Sequence, residues 1–367
     1  MTNSEKICNS IASKFFLNDF TFKNLYYLNG KVKQEICDGL IECGDIYLLL
    51  QVKERGSASS SCDETKWLEK KVYKDAVSQI KTSIQVIKNN QGLKVLDMYD
   101  QEVELNPDHD IIPIIVFLND DIEGYDMIYT SSTALKINVF SIKDFGEMMD
   151  MLKVPIDIID YLDFRMRLFG DAKRIPKLMC FESEDSVMIS IPQDEEGVAK
   201  HFYMMNLRQY KDVNVEEFLF ILKHHYDRMR DGMFHPQYKE ILRVMVKFNR
   251  PTIKQFMERW ECVTKREIAE SPIFDRFLIF DGMGILFGNS KRGTKYDDNE
   301  FYLVIMSMFA QKFKLDKVMA LVHFPEKFKD YTYLIQTMLY EEPYEYNKEL
   351  MDKVKETGWW DNAKFNK

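Results

Sequence analysis

Two apolar-rich runs that meet at Gly44-Asp45 constrain this chain more than any other stretch. Residues 34–43 read QEICDGLIEC and residues 46–54 read IYLLLQVKE. A Gly-Asp pair between such runs is a hairpin signal, because glycine takes the positive φ that a two-residue primed turn demands. With Gly44 and Asp45 as the turn, Cys43 pairs with Ile46, and opposed residue numbers sum to 89. Asp38 then lies opposite Gln51. Side chains alternate with period two, so Lys53 leaves the sheet on the same face as Gln51. A carboxylate, a carboxamide and an ammonium converge there. The plain alternative is a polar cross-strand cluster on a solvated face, worth roughly 0.2–1 kcal/mol per pair. Leu48-Leu49-Leu50 and Val52 argue against it, since they make the hairpin apolar on both sides. Charged groups at the end of such a strand are costly unless paired or bound to a metal.

With 367 residues, 46% of them hydrophobic and 13% aromatic, the chain can build one large packed domain or two ordinary ones. Its start, MTNSEKICNSIASK, lacks the basic-then-apolar pattern of a secretory signal. The longest apolar run, Ile111 to Leu118, is too short to span a bilayer and contains Pro113. Six scattered cysteines without a CxxC pair predict neither a disulfide framework nor a zinc site. The expectation is a cytoplasmic protein with no membrane partner. Net charge is −9, and residues 1–150 hold 16 Lys/Arg against 24 Asp/Glu, the excess lying around Glu102–Asp126. That balance disfavours non-specific polyanion binding while leaving room for a local basic surface.

Helical spacing predicts a first helix over about 3–14, and Phe22–Leu28 reads as a strand ahead of the hairpin. The serine loop Gly56–Ser61 follows, with Ser61 and Glu64 at capping-box spacing. Leu68, Val72, Ala76, Ile80, Ile84 and Ile87 then mark one long amphipathic helix over about 64–90. Ile111–Leu118 reads as a buried central strand and Ile137–Ser141 as another. A helix joining strands of one sheet implies a crossover, hence an α/β layer with a mixed sheet. We place a first domain at 1–150 and a mostly helical α+β region at 151–367. The latter holds helices near 156–169, 215–230, 237–247 and 252–269, a second hairpin over 277–287, and strand candidates at 315–324 and 331–339. No internal sequence repeat is evident.

The αβββαβ order, with Asp38 after Cys37, a 12-residue gap and then Gln51-Val52-Lys53, resembles the PD-(D/E)XK nuclease superfamily in its QxK form, over roughly residues 1–145. The proline of that family's name is replaced by Cys37, and Gln51 stands in place of an acid. The resemblance implies a restriction-endonuclease-like core and a metal-dependent endonuclease acting on DNA, within DNA processing or anti-phage defence, with a defence-system partner protein or self-association as further implications. It also implies a further carboxylate from the first helix, for which Glu5 is the candidate and Glu35 the alternative.

Elementary chemistry agrees with that assignment. Hydrolysing a phosphodiester requires charge stabilisation on the phosphate and an in-line water. Mg²⁺ or Mn²⁺ takes oxygen ligands, which Asp38, Gln51 and the Val52 carbonyl supply. Lys53 would orient or help deprotonate the water and stabilise developing charge. The competing class keeps the scaffold without catalysis, as a nucleic-acid- or protein-binding module. On the long helix, Lys70, Lys74 and Lys81, with Lys66, Lys71 and Lys88, form a face that could follow a DNA backbone or simply be solvated. Gly288–Lys295 has phosphate-loop composition without the spacing of one, and reads as a connecting loop. His224, His225 and His235 match no metal pattern. Trp359-Trp360 reads as a docking pair.

Overall fold

Turn chemistry and alternation place the hairpin where the sequence puts it, and the rest of the first sheet is assembled around it. In the computed structural model, residues 2–16, 20–23, 25–29, 32–55, 64–97, 102–119, 122, 126–169, 178–181, 186–189, 203–206, 213–229, 235–267, 274–291, 299–325, 334–358 and 360–361 are described. The serine loop, Arg292–Lys295, Trp359 and the side chains of His224, His225 and His235 lie outside the described residues. The chain divides into two compact units, Met1–Asp212 with Val246–Asn249, and Val213–Met245 with Arg250–Lys367. The boundary placed at residue 150 falls inside a helix of the first unit.

The first unit opens with α1 (Asn3–Phe15), then β1 (Thr21–Lys23), β2 (Leu25–Asn29), β3 (Val32–Cys37), β4 (Gly39–Cys43) and β5 (Ile46–Glu54). Phe22–Leu28, expected as one strand, is thus two: β1 pairs with β4, while β2 and β3 form a separate hairpin. One long helix follows, made of α2 (Glu64–Trp67), a π-wound stretch (Leu68–Ala76) and α3 (Val77–Asn89). After it come β6 (Lys94–Asp97), β7 (Glu102–Glu104), β8 (Asp110–Leu118), β9 (Asp126–Thr130), β10 (Lys136–Ser141), α4 (Ile142–Leu152), α5 (Pro155–Phe169), and the small antiparallel sheet β11 (Leu178–Phe181), β12 (Ser186–Ile189) and β13 (Tyr203–Asn206). The main sheet has eight strands in the order β7-β6-β1-β4-β5-β8-β10-β9. It is mixed: β5, β8 and β10 run parallel and the outer pairings are antiparallel.

The π-wound stretch has a cause in the sequence. Leu68, Val72, Ala76, Ile80 and Ile84 recur every fourth residue, and each step of four overshoots a 3.6-residue turn by about 40°. Wider i→i+5 turns hold that row on the sheet, with Val72, Ala76 and Ile80 fully buried. They pack with Leu49, Ile115, Phe117, Ile137 and Val139 as one core. The opposite face of the sheet receives α1, α4 and α5. There the Phe140 ring meets Phe145 at 6.1 Å and the Arg165 guanidinium at 4.1 Å.

The second unit holds α6 (Val215–Met229), α7 (His235–Met245), α8 (Arg250–Thr264), β14 (Arg276–Phe280), β15 (Met283–Asn289), α9 (Asn299–Phe313), β16 (Lys317–Phe324), β17 (Leu334–Glu341) and α10 (Lys348–Thr357). Its four strands run β14-β15-β16-β17, with β15 and β16 parallel. Helix α8 covers one face, where Phe256 packs on Phe287 with ring centroids 5.0 Å apart. The other face carries α9, Val354 of α10 and Trp360, whose indole N–H donates to the Phe274 carbonyl at 2.7 Å. Among the described residues, no helix is long and apolar enough to cross a membrane.

Candidate active site at the open end of the first hairpin

Strands β4 and β5 pair from Cys43–Ile46 to Gly39–Leu50, in the register that the two-residue turn dictates. Gly44 has φ +60° and Asp45 a negative φ, the pattern of a II′ turn with glycine first. Asp38 leaves the ladder, its N–H donating to the Leu50 carbonyl at 3.2 Å, so Asp38 and Gly39 both address Leu50. This step, resembling a bulge, places the Asp38 carboxylate over the next two residues of β5. Asp38 Oδ2 accepts from the Gln51 carboxamide Nε2 and from the Val52 N–H, the latter at 2.6 Å. In a strand the C=O of a residue points to the same side as its N–H, so the Val52 carbonyl faces this edge too.

The electrostatics record a crowd of carboxylates. Burial raises the Asp38 carboxyl to about 6; the Val52 N–H and Lys53 hold it down, and Glu5 and Glu35 push it up. Lys53, half-buried, is lowered first by burial, against which Asp38, Asp75 and Glu5 favour its charge while Lys71 opposes it. Glu35 is raised by partial burial and by Glu5. Two thiols beside Asp38 are inert: burial drives Cys8 up to about 12 and Cys37 well above the usual range. Cys37 instead donates to the Gly39 carbonyl at 3.3 Å. A cavity of about 150 Å³ opens beside the pair, lined by Glu35, Asp38, Gln51, Ser78, Gln79 and Thr82 together with Ile36 and Cys37.

No family model, curated protein or solved structure matches this chain. Its chemistry follows from the donors themselves. Asp38, Gln51 and Lys53 are brought together, and Glu5 lies within electrostatic reach of both Asp38 and Lys53. Among the described residues, no group of three His, Cys, Asp or Glu is already gathered for a metal ion. The hard oxygen donors at this edge are the Asp38 carboxylate and the Val52 main-chain carbonyl, with the Gln51 carboxamide beside them. Oxygen donors of this kind suit a Mg²⁺ or Mn²⁺ ion, and a divalent charge would favour the ionised Asp38 carboxylate that burial disfavours. Gln51 turns its nitrogen to Asp38, the orientation that suits the pair alone; a half-turn of the amide presents its oxygen instead. Lys70 and Lys74 are exposed and Lys81 half-exposed on the long helix, whose contribution to the cavity is Ser78, Gln79 and Thr82.

Sequence spacing does not single out those three residues, although they are the polar positions beside Ile80 on the same helix. Nor does it reveal how α1 is held. Glu54, next to Lys53, accepts from the Ser4 N–H at 3.2 Å and the Ser4 hydroxyl at 2.8 Å. Thr2 and Glu5 complete a capping box one turn away. This clamp ties the first turn of α1, with Glu5, to the end of β5. Replacing Glu54 with alanine is expected to speed amide exchange in residues 3–8 by roughly fivefold, equivalent to about 1 kcal/mol, the net worth of a typical hydrogen bond. Exchange equal to wild type would show that the clamp does not hold the helix.

Proposed function

We propose that Asp38, Gln51 and Lys53 form a divalent-cation-dependent site for phosphodiester hydrolysis, acting on DNA, on a restriction-endonuclease-like core. The observation that carries this reading is the meeting of the Asp38 carboxylate and the Gln51 carboxamide where the hairpin opens, with Lys53 on the same strand face. Asp38, the Gln51 oxygen and the Val52 carbonyl would hold the cation, with Glu5 able to add a charge. The cation, when bound, supplies Lewis-acid stabilisation of the phosphate and a more acidic water. Asp38 orients the Gln51 amide, and the Val52 N–H fixes the carboxylate. Lys53, kept partly desolvated, positions a water for in-line attack and offsets charge as it develops on the phosphate. The cavity beside Asp38, with its hydroxyls and amide, would receive neutral polar atoms of the substrate backbone.

The bond from Gln51 to Asp38 also favours a second reading, in which the pair satisfies itself and the scaffold only binds. One assay separates them: cleavage of single- and double-stranded DNA and of RNA with Mg²⁺ or Mn²⁺, by wild type and by Asp38→Ala. Metal-dependent cutting lost in the variant supports hydrolysis. Absence of cutting, with equal nucleic-acid binding by both proteins, supports the scaffold.

A further inference from the structure

The two units differ in sequence yet share one stretch of strand pairing, a hairpin and the parallel strand beside it. In the first, β4 and β5 pair over five rungs, from Cys43–Ile46 to Gly39–Leu50, and β5 pairs in parallel with β8 from Ile46 onward. In the second, β14 and β15 pair over five rungs, from Phe280–Met283 to Arg276–Phe287, and β15 pairs in parallel with β16 from Met283 onward. A helix before each hairpin covers the face of the last rung. Asn9 of α1 lies against Gly39, and Phe256 of α8 against Phe287. The crossover helix covers the other face in both, against Leu49 in one unit and Leu286 in the other.

Rung matched to rung, Asp38 corresponds to Asp275, Gln51 to Gly288 and Lys53 to Ser290. Only the aspartate is common to both. A Cβ at Gly288 would lie 2.5 Å from the Phe274 ring, so an aromatic ring fills the space that the Gln51 carboxamide uses in the first unit. Ser290 is buried and brings no charge. Asp275 is held by the two terminal guanidinium nitrogens of Arg266, each at 2.9 Å from one carboxylate oxygen, whereas Asp38 meets the Gln51 amide and the Val52 N–H. The Arg266 fork occupies both carboxylate oxygens and sets a fixed positive charge beside them, which disfavours a cation there.

We propose that the second unit is a closed copy of the first unit's core, so that the described residues carry one hydrolytic centre and one strand of a duplex is severed per encounter. This rests on the hydrolytic reading of the Asp38 site. Each event adds one water across one P–O ester bond, leaving a phosphate monoester on one side of the break and a hydroxyl on the other. The strands of a duplex run in opposite directions, so a single centre must release and re-engage in reverse before it can attack the second.

Supercoiled plasmid incubated with the full chain and Mn²⁺ or Mg²⁺ tests this. Open circles are expected to accumulate to most of the DNA before linear molecules appear, and Asp275→Asn is expected to cut at the wild-type rate. Linear molecules formed alongside open circles from the earliest times would overturn the inference and keep the hydrolytic reading. A tenfold loss in Asp275→Asn at an unchanged melting temperature would do the same. Plasmid left intact with either cation overturns the inference, and the hydrolytic reading falls with it when single-stranded DNA and RNA are left whole as well.

Discussion

Replacing Lys53 with alanine is expected to lower metal-dependent cleavage by about 10²–10⁴-fold, the range for losing a group that assists proton transfer. The ammonium sits half-buried on the strand face that carries Gln51, with Asp38, Asp75 and Glu5 sustaining its charge. Without it, the carboxylates Asp38, Glu5 and Glu35 face an incoming phosphate with no fixed cation from β5. Arginine at 53 is expected to restore little, because a planar fork cannot replace a compact ammonium that orients water. The loss should appear in kcat, with the melting temperature within a few degrees of wild type. Activity within threefold of wild type in Lys53→Ala would remove Lys53 from the mechanism.

The second large effect concerns Asp38 and pH. Its carboxyl is raised from 3.8 to about 6, chiefly by burial. The folded protein therefore keeps this proton over a range in which the unfolded chain has released it. The contribution to stability is most favourable below about pH 4 and declines as pH rises through about 6. Above that it leaves a deficit of about 3 kcal/mol, two units at about 1.4 kcal/mol each. Asp38→Asn keeps an acceptor for the Val52 N–H and removes the charge. In EDTA it is expected to melt above wild type at pH 8 and level with it at pH 4. Mn²⁺ should reverse the order, since it binds the ionised carboxylate and raises the melting temperature of wild type alone above pH 6. If Asp38→Asn melts at or below wild type at pH 8 in EDTA, the Asp38 carboxylate carries no such burden.

The residues that were legible in sequence are those governed by short-range geometry. A two-residue turn at Gly44-Asp45 fixes one register, and register fixes which side chains share a face, so Asp38, Gln51 and Lys53 could be named together from spacing alone. Asp38 stepping off the ladder could not, because the deviation answers to burial around Leu50 and to the partners on β5. The clamp between Ser4 and Glu54 joins positions fifty residues apart and leaves no local pattern. The π-wound stretch did leave one, in the apolar row at every fourth residue from Leu68 to Ile84. The likeness of the two units is invisible in sequence because it lives in backbone pairing. The first hairpin turns on Gly44-Asp45 with one positive φ, and the second on Asp281-Gly282 with two. Of the three site positions, only the aspartate is common to both.

Residues Val246–Asn249 return to the first unit after the chain has entered the second. Val246 and Phe248 are buried, the Cys43 thiol donates to the Val246 carbonyl at 3.8 Å, and Lys247 lies over Gly44 with its ammonium 3.7 Å from Asp45. The hairpin that carries Asp38 and Gln51 is therefore finished at its turn by a segment made long after it. A ribosome adding about 5–20 residues per second needs roughly 10–40 s to travel from Glu54, the end of the hairpin, to Asn249. During that interval the nascent hairpin shows its turn and a bare Cys43 to the cell, and helix α7 must pass before the covering residues arrive.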